Sequence, residues 1–254
     1  MECRKLKYEE ILPLREQFLT EHPFQIRYDA CHWRAWADEY LFIHNGQGIG
    51  YGSIKGLKEL VDRDTVFEFF VLPAFRKQAS HLFAQLLRAS GASHLECQSN
   101  DFWMSSMMYE FGEGIHSRVI LFGEHRTTDM TRTDVIFRSC QSGDDVFGKK
   151  DADRGAFVLE RQGEIVADGG FLTHYNPPFA DLYMEVKEAC RREGLGSFML
   201  QEVKKACHEA GHIPAARCNI TNLGSRFSLL KAGMKICGYM LQGKVKPAHA
   251  AFLD

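Results

Sequence analysis

The sequence has no excess of charge of either sign, because 31 lysines and arginines are balanced by 33 aspartates and glutamates. A formal net charge of −2 over 254 residues argues against the basic surface that binding to nucleic acid or to an anionic membrane requires. No run of about 18 apolar residues is present, so we expect no membrane-spanning helix. The N-terminus is charged from Glu2 onward, so we expect no signal peptide.

Cysteine is present, but without the spacing of a metal site. The eight cysteines stand singly along the chain, and no two of them form a Cys-x-x-Cys pair. Such pairs are typical of zinc and dithiol redox sites, so we expect neither a metal nor a redox centre. Scattered single thiols are typical of a reduced protein, which predicts a cytoplasmic location.

One stretch in the second half of the chain predicts an anion site. The short apolar segment Leu182–Val186 has the length and composition of a buried strand. A basic turn with Arg191 and Arg192 follows, and then Gly194 and Gly196 precede apolar residues at helical spacing. Glycines at a helix start leave backbone N–H groups accessible, and the positive end of the helix dipole attracts anions. The two arginines add charge where a phosphate would bind.

This pattern resembles the acyl-CoA pyrophosphate loop of the GCN5-related N-acetyltransferases, the GNAT family. The resemblance lies in Val186 followed by Arg191-x-x-Gly194-x-Gly196 on a strand, a turn and a helix. Downstream, Asn222 and the small residue three positions later are similar to the start of the family's next helix. The resemblance covers roughly residues 156 to 243.

The resemblance implies that the second half binds acetyl-CoA or a related acyl-CoA as cosubstrate. The family holds this molecule with the main chain of the central strand, with the glycine loop and with the start of the next helix. The corresponding residues here are Met184, Val186, Arg191, Arg192, Gly194, Leu195, Gly196, Ser197, Asn222 and Ser225. By the same resemblance, the backbone N–H that polarises the thioester carbonyl comes from about Val186.

The family reaction, direct attack of an amine on the thioester, needs a base for the ammonium proton. Glu185 is the first candidate and Asp181 the second, because both lie on the predicted central strand beside the expected thioester. The alternative is that each is an exposed carboxylate on a strand face. The residue at the position of Glu185 in the first half is Phe70, which agrees with a function in one half only.

The general acid is less clearly marked. Many members of the family carry a tyrosine four residues before the glycine that follows this helix, and here that position is Leu229. Candidates to replace it are Cys218, Ser228 and Tyr175, and the leaving thiolate can also take its proton from water. Cys218 has the alternative role of a small packing residue.

An internal repeat predicts two domains of the same fold. Four landmarks recur at a constant distance of 115 positions: Phe42, Gly48, Val71 and Arg76 match Phe157, Gly163, Val186 and Arg191. The predicted fold class is α/β (α+β), with two tandem GNAT-like domains at 1–125 and 126–254. Each has a mixed, mostly antiparallel sheet flanked by helices. The first domain has Ala79-Ser80-His81 in place of the glycine loop, so we expect it to be degenerate and unable to bind the cofactor.

Several local predictions concern individual elements. In the first half, periodicity predicts helices over Tyr8–Glu21 and Ala30–Tyr40, with Trp33 as a core residue. In the second half, residues 144–154 show little helical pattern where the family usually has helices. Lys204 and Lys205 are predicted to lie on a solvated helix face.

These observations favour a tandem GNAT-type N-acetyltransferase that transfers an acetyl group from acetyl-CoA to the amine of a small acceptor. The alternative is a non-catalytic acyl-CoA-binding sensor or interaction module, which the apolar Leu229 and the degenerate first half suggest. A third reading is an acyltransferase for longer acyl chains or for another acceptor group. The sequence predicts no nucleic-acid or membrane partner, and a homodimer is compatible with it.

Overall fold

The structure, a computed structural model, describes residues 1–21, 24–174 and 176–247. The chain forms two compact units. Unit 1 comprises Met1–Arg118 together with the chain from Gly238 onward, and unit 2 comprises Val119–Cys237. The C-terminal strand thus contributes residues to unit 1, whereas the sequence predicted a single division near residue 125. Within the described residues, no helix is long and apolar enough to cross a membrane.

Unit 1 is built on a mostly antiparallel sheet in the order β1-β2-β3-β4-β5-β12. Its helices pack on this sheet around a large apolar core. In chain order the elements are β1 (Glu2–Leu6), α1 (Tyr8–Glu21), α2 (Asp29–Trp33), β2 (Ala37–His44), β3 (Gln47–Lys55), β4 (Thr65–Val71), α3 (Ala79–Ser90), β5 (His94–Gln98), α4 (Phe102–Phe111), the start of β6 (Gly112–Glu124) and the end of β12 (Met234–Val245).

Unit 2 has the sheet order β6-β11-β10-β9-β8-β7. Its elements are the end of β6, β7 (Ile136–Ser139), β8 (Phe157–Arg161), β9 (Glu164–Leu172), β10 (Phe179–Val186), α5 (Leu195–Glu209), β11 (Ile213–Asn219), α6 (Leu223–Lys231) and the start of β12. Between β7 and β8 the chain forms only the short 3-10 turn Asp151–Asp153, which agrees with the weak helical pattern predicted there.

Two strands of unit 2 separate at the point where the site forms. β10 pairs in parallel with β11 over Phe179–Asp181, opposite Ile213, Pro214 and Ala215. Its antiparallel pairing with β9 continues to Val186. From Leu182 onward, β10 therefore has a main-chain edge directed away from β9 into the opening between β10 and β11.

The predicted helix over Ala30–Tyr40 is wrong for most of its length. The helix ends at Trp33, Ala35 has a left-handed backbone with φ 54°, and β2 begins at Ala37. Pairing of β2 with β1 on one side and β3 on the other outweighs the local helical pattern, because it satisfies the backbone of the whole segment. Trp33, predicted in the core, is 56% exposed.

The internal repeat extends to a side-chain hydrogen bond. In unit 2, Arg191 Nε donates to the carbonyl of Val186 over 3.3 Å. In unit 1, Arg76 Nε donates to the carbonyl of Val71 over 3.1 Å. Each arginine thus closes the turn that leads from the central strand toward the following helix.

Unit 1 also contains a cluster of buried charged side chains that includes Glu68 of β4. Arg15 Nη2 lies 3.1 Å from Glu68 Oε1, and Arg15 Nη1 lies 2.9 Å from Asp29. His32 Nδ1 lies 2.7 Å from Glu39, and its Nε2 lies 3.3 Å from Glu68. Burial lowers the pKa of His32, but the charge of Glu68 and the hydrogen bond to Glu39 outweigh it and raise that pKa to about 9.

This histidine predicts a specific dependence of stability on pH. Because the pKa of His32 is higher in the folded than in the unfolded protein, its protonated imidazole stabilises the fold. This stabilisation is complete below about pH 6.5 and is lost as the pH rises through about 9. We expect the free energy of unfolding to fall by roughly 3 kcal/mol across this window relative to a His32→Gln variant. Denaturant unfolding at several pH values measures it. His208→Gln, which removes an exposed histidine 2.8 Å from Glu124, is the control. If the free energy of unfolding changed equally with pH in the wild type and in His32→Gln, the prediction would be contradicted.

Candidate functional site

A cavity of about 860 Å³ lies where β10 ends and α5 and α6 begin. Its volume falls in the range of about 300–1,000 Å³ that is usual for small-molecule and cofactor sites. All ten residues predicted to bind the cofactor line it. The full lining comprises Met184, Glu185, Val186, Cys190, Arg191, Arg192, Gly194, Leu195, Gly196, Ser197, Asn222, Leu223, Gly224, Ser225, Phe227, Ser228 and Lys231.

The first turn of α5 presents backbone donors to this cavity. The residue before the helix, Gly194, has a left-handed backbone with φ 83° and no side chain with which to cap the helix. The N–H groups at the start of a helix have no carbonyl partner inside it. Because the residues Leu195 to Ser197 line the cavity, these donors and the positive end of the helix dipole favour an anion there.

Positive side chains surround the same turn. Arg191 is exposed beside the loop, and Arg192 and Lys231 line the cavity with it. A Cβ atom built on Gly194 would lie 3.7 Å from Arg132 Nη1 and 3.9 Å from Lys231 Nζ. Cations from three separate segments therefore approach the start of α5, which suits a doubly charged anion such as a pyrophosphate.

An ion-pair network holds the loop in place. Arg132 Nη1 donates to the main-chain carbonyl of Glu193 over 2.6 Å and is paired with Asp134. Arg161 pairs with both Asp134, at 3.0 Å, and Glu193, at 2.8 Å. Hydrogen bonds from Arg132 hold the pKa of Asp134 well below its usual range, to about 2, so the network stays charged at neutral pH.

Gly196 lies close to two side chains that line the same cavity. A Cβ atom at this position would be 3.0 Å from Met184 Cε and 3.1 Å from Ser228 Oγ. Both distances are shorter than an ordinary van der Waals contact, so even alanine would push on the walls of the cavity. Glycine here keeps the first turn of α5 close to β10 and α6.

The main chain of β10 directs two N–H groups toward the cleft. Lys187 donates its N–H to the carbonyl of Val166 in β9 over 3.0 Å. Successive residues of a strand direct their N–H groups to opposite sides, so those of Met184 and Val186 face away from β9. They therefore point into the opening between β10 and β11, where a carbonyl could accept a hydrogen bond.

Glu185 lines the cavity and is half exposed, but it already has a cationic partner. Lys149 Nζ lies 2.7 Å from Glu185 Oε2 and 3.1 Å from both carboxylate oxygens of Asp168. Burial lowers the pKa of Lys149, whereas hydrogen bonds to Glu185 and Asp168 outweigh burial and raise it. Glu185 is therefore part of an ion pair.

The structure places the other two catalytic candidates outside the cavity lining. Asp181 lies near the start of β10, with its Oδ2 2.8 Å from Arg217 Nε. Cys218 is buried on β11, and burial raises the pKa of its thiol despite a hydrogen bond with Ser225. Neither side chain is brought to the cavity with Glu185.

Of the candidates for the general acid, Ser228 lines the cavity. Leu229, at the position of the family's tyrosine, is buried in the core. Tyr175 lies outside the described residues.

The start of α6 completes the site. Asn222 lines the cavity and caps the helix, with its Oδ1 accepting a 3.0 Å hydrogen bond from the N–H of Ser225. Sequence reasoning missed the exposed apolar wall of Leu223 and Phe227 and the ammonium of Lys231. Lys231 could have been found, because it stands two residues before Gly233 in the segment that resembles the family.

The prediction of a solvated face was wrong for Lys204, although Lys205 is exposed. Lys204 is buried, and its Nζ donates to the carbonyls of Arg126 and Ala232 over 2.9 and 3.2 Å. It also lies 3.2 Å from Glu124. Lys204 of α5 thus binds the main chain of the polar segment that follows β6.

The corresponding turn of unit 1 has its polar groups occupied by other side chains. Arg76 Nη2 lies 2.5 Å from Glu21, and its guanidinium stacks on Trp103 at 5.1 Å from the ring centroid. Ser80 at the start of α3 donates to Glu110 over 2.7 Å. Since Glu21 neutralises Arg76 and Glu110 occupies the hydroxyl of Ser80, the turn offers little attraction for a phosphate.

No group of three or more His, Cys, Asp or Glu is arranged to hold a metal ion in the part of the chain that the structure describes. All eight cysteines lie in that part and are free thiols. The lining of the cavity carries backbone donors, cations, serine hydroxyls, the thiol of Cys190 and the carboxylate of Glu185.

Residues 122–234 match the model of the acetyltransferase (GNAT) family. No curated protein matches the chain. Among solved structures, the fold is similar to an acetyltransferase from the GNAT family of Colwellia psychrerythraea, with 13% identity, a TM-score of 0.74 and coverage of 97% of this chain and 100% of the other.

Two further structures share the fold over almost their whole length. A GCN5-related N-acetyltransferase from Sphaerobacter thermophilus is 13% identical with a TM-score of 0.59, and 97% of this chain and 96% of the other are covered. A tandem GNAT protein from the clavulanic acid biosynthesis pathway is 11% identical with a TM-score of 0.57, with 97% and 99% covered. The predicted α/β fold class with tandem GNAT-like domains is confirmed.

Proposed function

We propose that this chain is an acyl-CoA-dependent N-acetyltransferase that transfers an acetyl group from acetyl-CoA to a small amine, because residues 122–234 match the model of the acetyltransferase (GNAT) family. One observation carries the proposal. The uncapped start of α5, the cations around it and the free edge of β10 line the same cavity as the carboxylate Glu185. The free thiols make the reducing cytoplasm the proposed compartment.

The residues present fit acetyl-CoA. Leu195, Gly196 and Ser197 would hold the pyrophosphate with their backbone N–H groups, supported by Arg191 and Lys231. The glycine at 196 is required because a Cβ would press on Met184 and Ser228, which form the adjoining walls. When bound, acetyl-CoA supplies an activated acyl group as a thioester.

The residues of β10 would serve the transfer step. The N–H groups of Met184 and Val186 would donate to the carbonyl oxygen and stabilise the charge that develops there. Glu185 would accept a proton from the attacking ammonium, since this residue lines the cavity beside the free edge of β10. Ser228, which also lines the cavity, would pass a proton from water to the leaving sulfur.

Binding of the cofactor is the first test. At about a hundred times its dissociation constant, acetyl-CoA should stabilise the folded protein by roughly 2.7 kcal/mol, measured as a shift in the thermal midpoint. Titration calorimetry should give one site per chain, because the turn of unit 1 is closed by Glu21 and Glu110. No shift with millimolar acetyl-CoA, or two equivalent sites, would contradict the assignment.

A second candidate function is a non-catalytic acyl-CoA sensor. Two observations favour it: Leu229 offers no proton donor, and Lys149 already neutralises Glu185. Release of free thiol from acetyl-CoA in the presence of a library of small amines separates the two functions. An enzyme releases thiol in proportion to time with at least one amine, whereas a sensor binds acetyl-CoA and releases none.

A further inference from the structure

One primary amine of the chain already lies beside the proposed base. Lys149 belongs to the loop between β7 and β8, and its Nζ lies 2.7 Å from Glu185 Oε2. Glu185 lines the cavity, so this amine contacts a residue of the cavity wall. An amine acceptor in the proposed reaction needs the same arrangement, an ammonium hydrogen-bonded to the group that removes its proton.

A structural ion pair would not require Glu185. Asp168 is 98% buried and alone places two oxygens at 3.1 Å from Lys149 Nζ. It also accepts a 2.9 Å hydrogen bond from the N–H of Gly155, which fixes its position. Asp168 therefore anchors the lysine, and the additional contact with the half-exposed Glu185 holds its amine at the edge of the site.

We propose that Lys149 is an acyl acceptor within this chain, so that the site acetylates its own ε-amino group as well as a small amine. The inference rests on the proposed function, because it uses the same cavity and the same base. It adds a modification site and indicates that the acceptor subsite recognises a primary ammonium between two carboxylates.

The step balances without any further reactant. Glu185 takes a proton from the ammonium of Lys149, and the neutral nitrogen attacks the carbonyl carbon of the thioester. A C–N bond forms and the C–S bond breaks, and the second proton that the nitrogen loses passes through water to the CoA thiolate. The product is a neutral amide, which frees Glu185 from its cationic partner and leaves Asp168 with the N–H of Gly155.

The chain contains a matched control lysine. Lys205 Nζ lies 2.7 Å from Glu202 Oε1, the same distance as in the Lys149 pair. Lys205 is 47% exposed, whereas Lys149 is 24% exposed. Neither lysine lines the cavity, but Glu185, the partner of Lys149, does, whereas Glu202, the partner of Lys205, does not. Acetyl-CoA that reacts with lysines chemically in solution should therefore label Lys205 at least as fast as Lys149.

The experiment incubates the full chain with acetyl-CoA alone and measures acetylation of Lys149 and Lys205 over time by peptide mass spectrometry. We expect Lys149 to be labelled at least about tenfold faster than Lys205, because its amine is held beside the base. Glu185→Gln and Gly196→Val should each remove this preference without changing the label on Lys205. In Lys149→Arg, the peptide that carries position 149 should gain no acetyl group there, whereas the remaining lysines should keep their slow labelling.

Parallel samples receive the library of small amines, and thiol release is measured. Equal labelling of the two lysines together with thiol release on amine addition would overturn the proposal and leave the proposed function intact. Preferential labelling of Lys149 that persists in Glu185→Gln and Gly196→Val would show a chemical modification and would also overturn it. Cofactor binding with neither labelling nor thiol release would overturn both the proposal and the proposed enzyme activity.

Discussion

Replacing Gly196 with valine is expected to abolish acetyl-CoA binding, with a loss of affinity of about a hundredfold or more, equivalent to roughly 2.7 kcal/mol. The Cβ alone would lie 3.0 Å from Met184 Cε and 3.1 Å from Ser228 Oγ, and the two methyl groups of valine add to this crowding. The valine side chain would fill part of the cavity or displace its walls at the first turn of α5, where we propose that the pyrophosphate binds. Titration calorimetry measures the loss.

The chain offers a control glycine in the same cavity. Gly224, in the first turn of α6, also lines the site, but a Cβ there would meet only Asn222 Oδ1 at 3.7 Å. Gly224→Ala should therefore change the affinity by no more than about threefold. Thermal unfolding without ligand shows whether each variant folds. Binding of acetyl-CoA that survives in a folded Gly196→Val protein would contradict the proposed cradle.

Replacing Glu185 with glutamine should lower turnover by about a hundredfold or more and leave the affinity for acetyl-CoA nearly unchanged. The amide keeps the shape of the side chain but cannot accept the ammonium proton. The phosphate-binding turn of α5 is untouched, so cofactor binding should persist. Steady-state rates with a reactive amine, together with calorimetry, separate the two effects.

Asp181→Asn is the matched comparison, because Asp181 is the other carboxylate on β10. It is paired with Arg217 and does not line the cavity, so we expect its loss to alter turnover far less. A large effect of Asp181→Asn with unchanged turnover in Glu185→Gln would move the role of base to Asp181. Unchanged turnover in both variants would leave the ammonium proton to water.

The half of the site around the start of α5 was predictable because its determinants are local. A strand, two arginines and two glycines at the start of a helix lie within a short segment, and each acts through its own backbone or immediate neighbours. The structure brings this segment together with Asn222 and Ser225 in one cavity, as the resemblance implied. The residues around this half that were missed, such as Arg132, bind the loop from distant positions and carry no local signal.

The part of the site around Glu185 was not predictable in the same way. Glu185 could be placed on the central strand, but its pairing with Lys149 depends on how the loop between β7 and β8 folds onto the sheet. The predicted helix over Ala30–Tyr40 was wrong for a similar reason, since strand pairing on both sides outweighed the local periodicity.

The sequence by itself determined the fold class, the tandem repeat and the position of the glycine turn before α5. These depend on periodicity and on glycine, whose effects act over a few residues. Only the tertiary structure decided which charges meet: Lys149 with Glu185, Arg132 with the turn at Glu193, and Glu21 with Arg76. The physical reason is that an ion pair depends on a distance of a few ångströms between side chains, and no pattern along the chain specifies that distance.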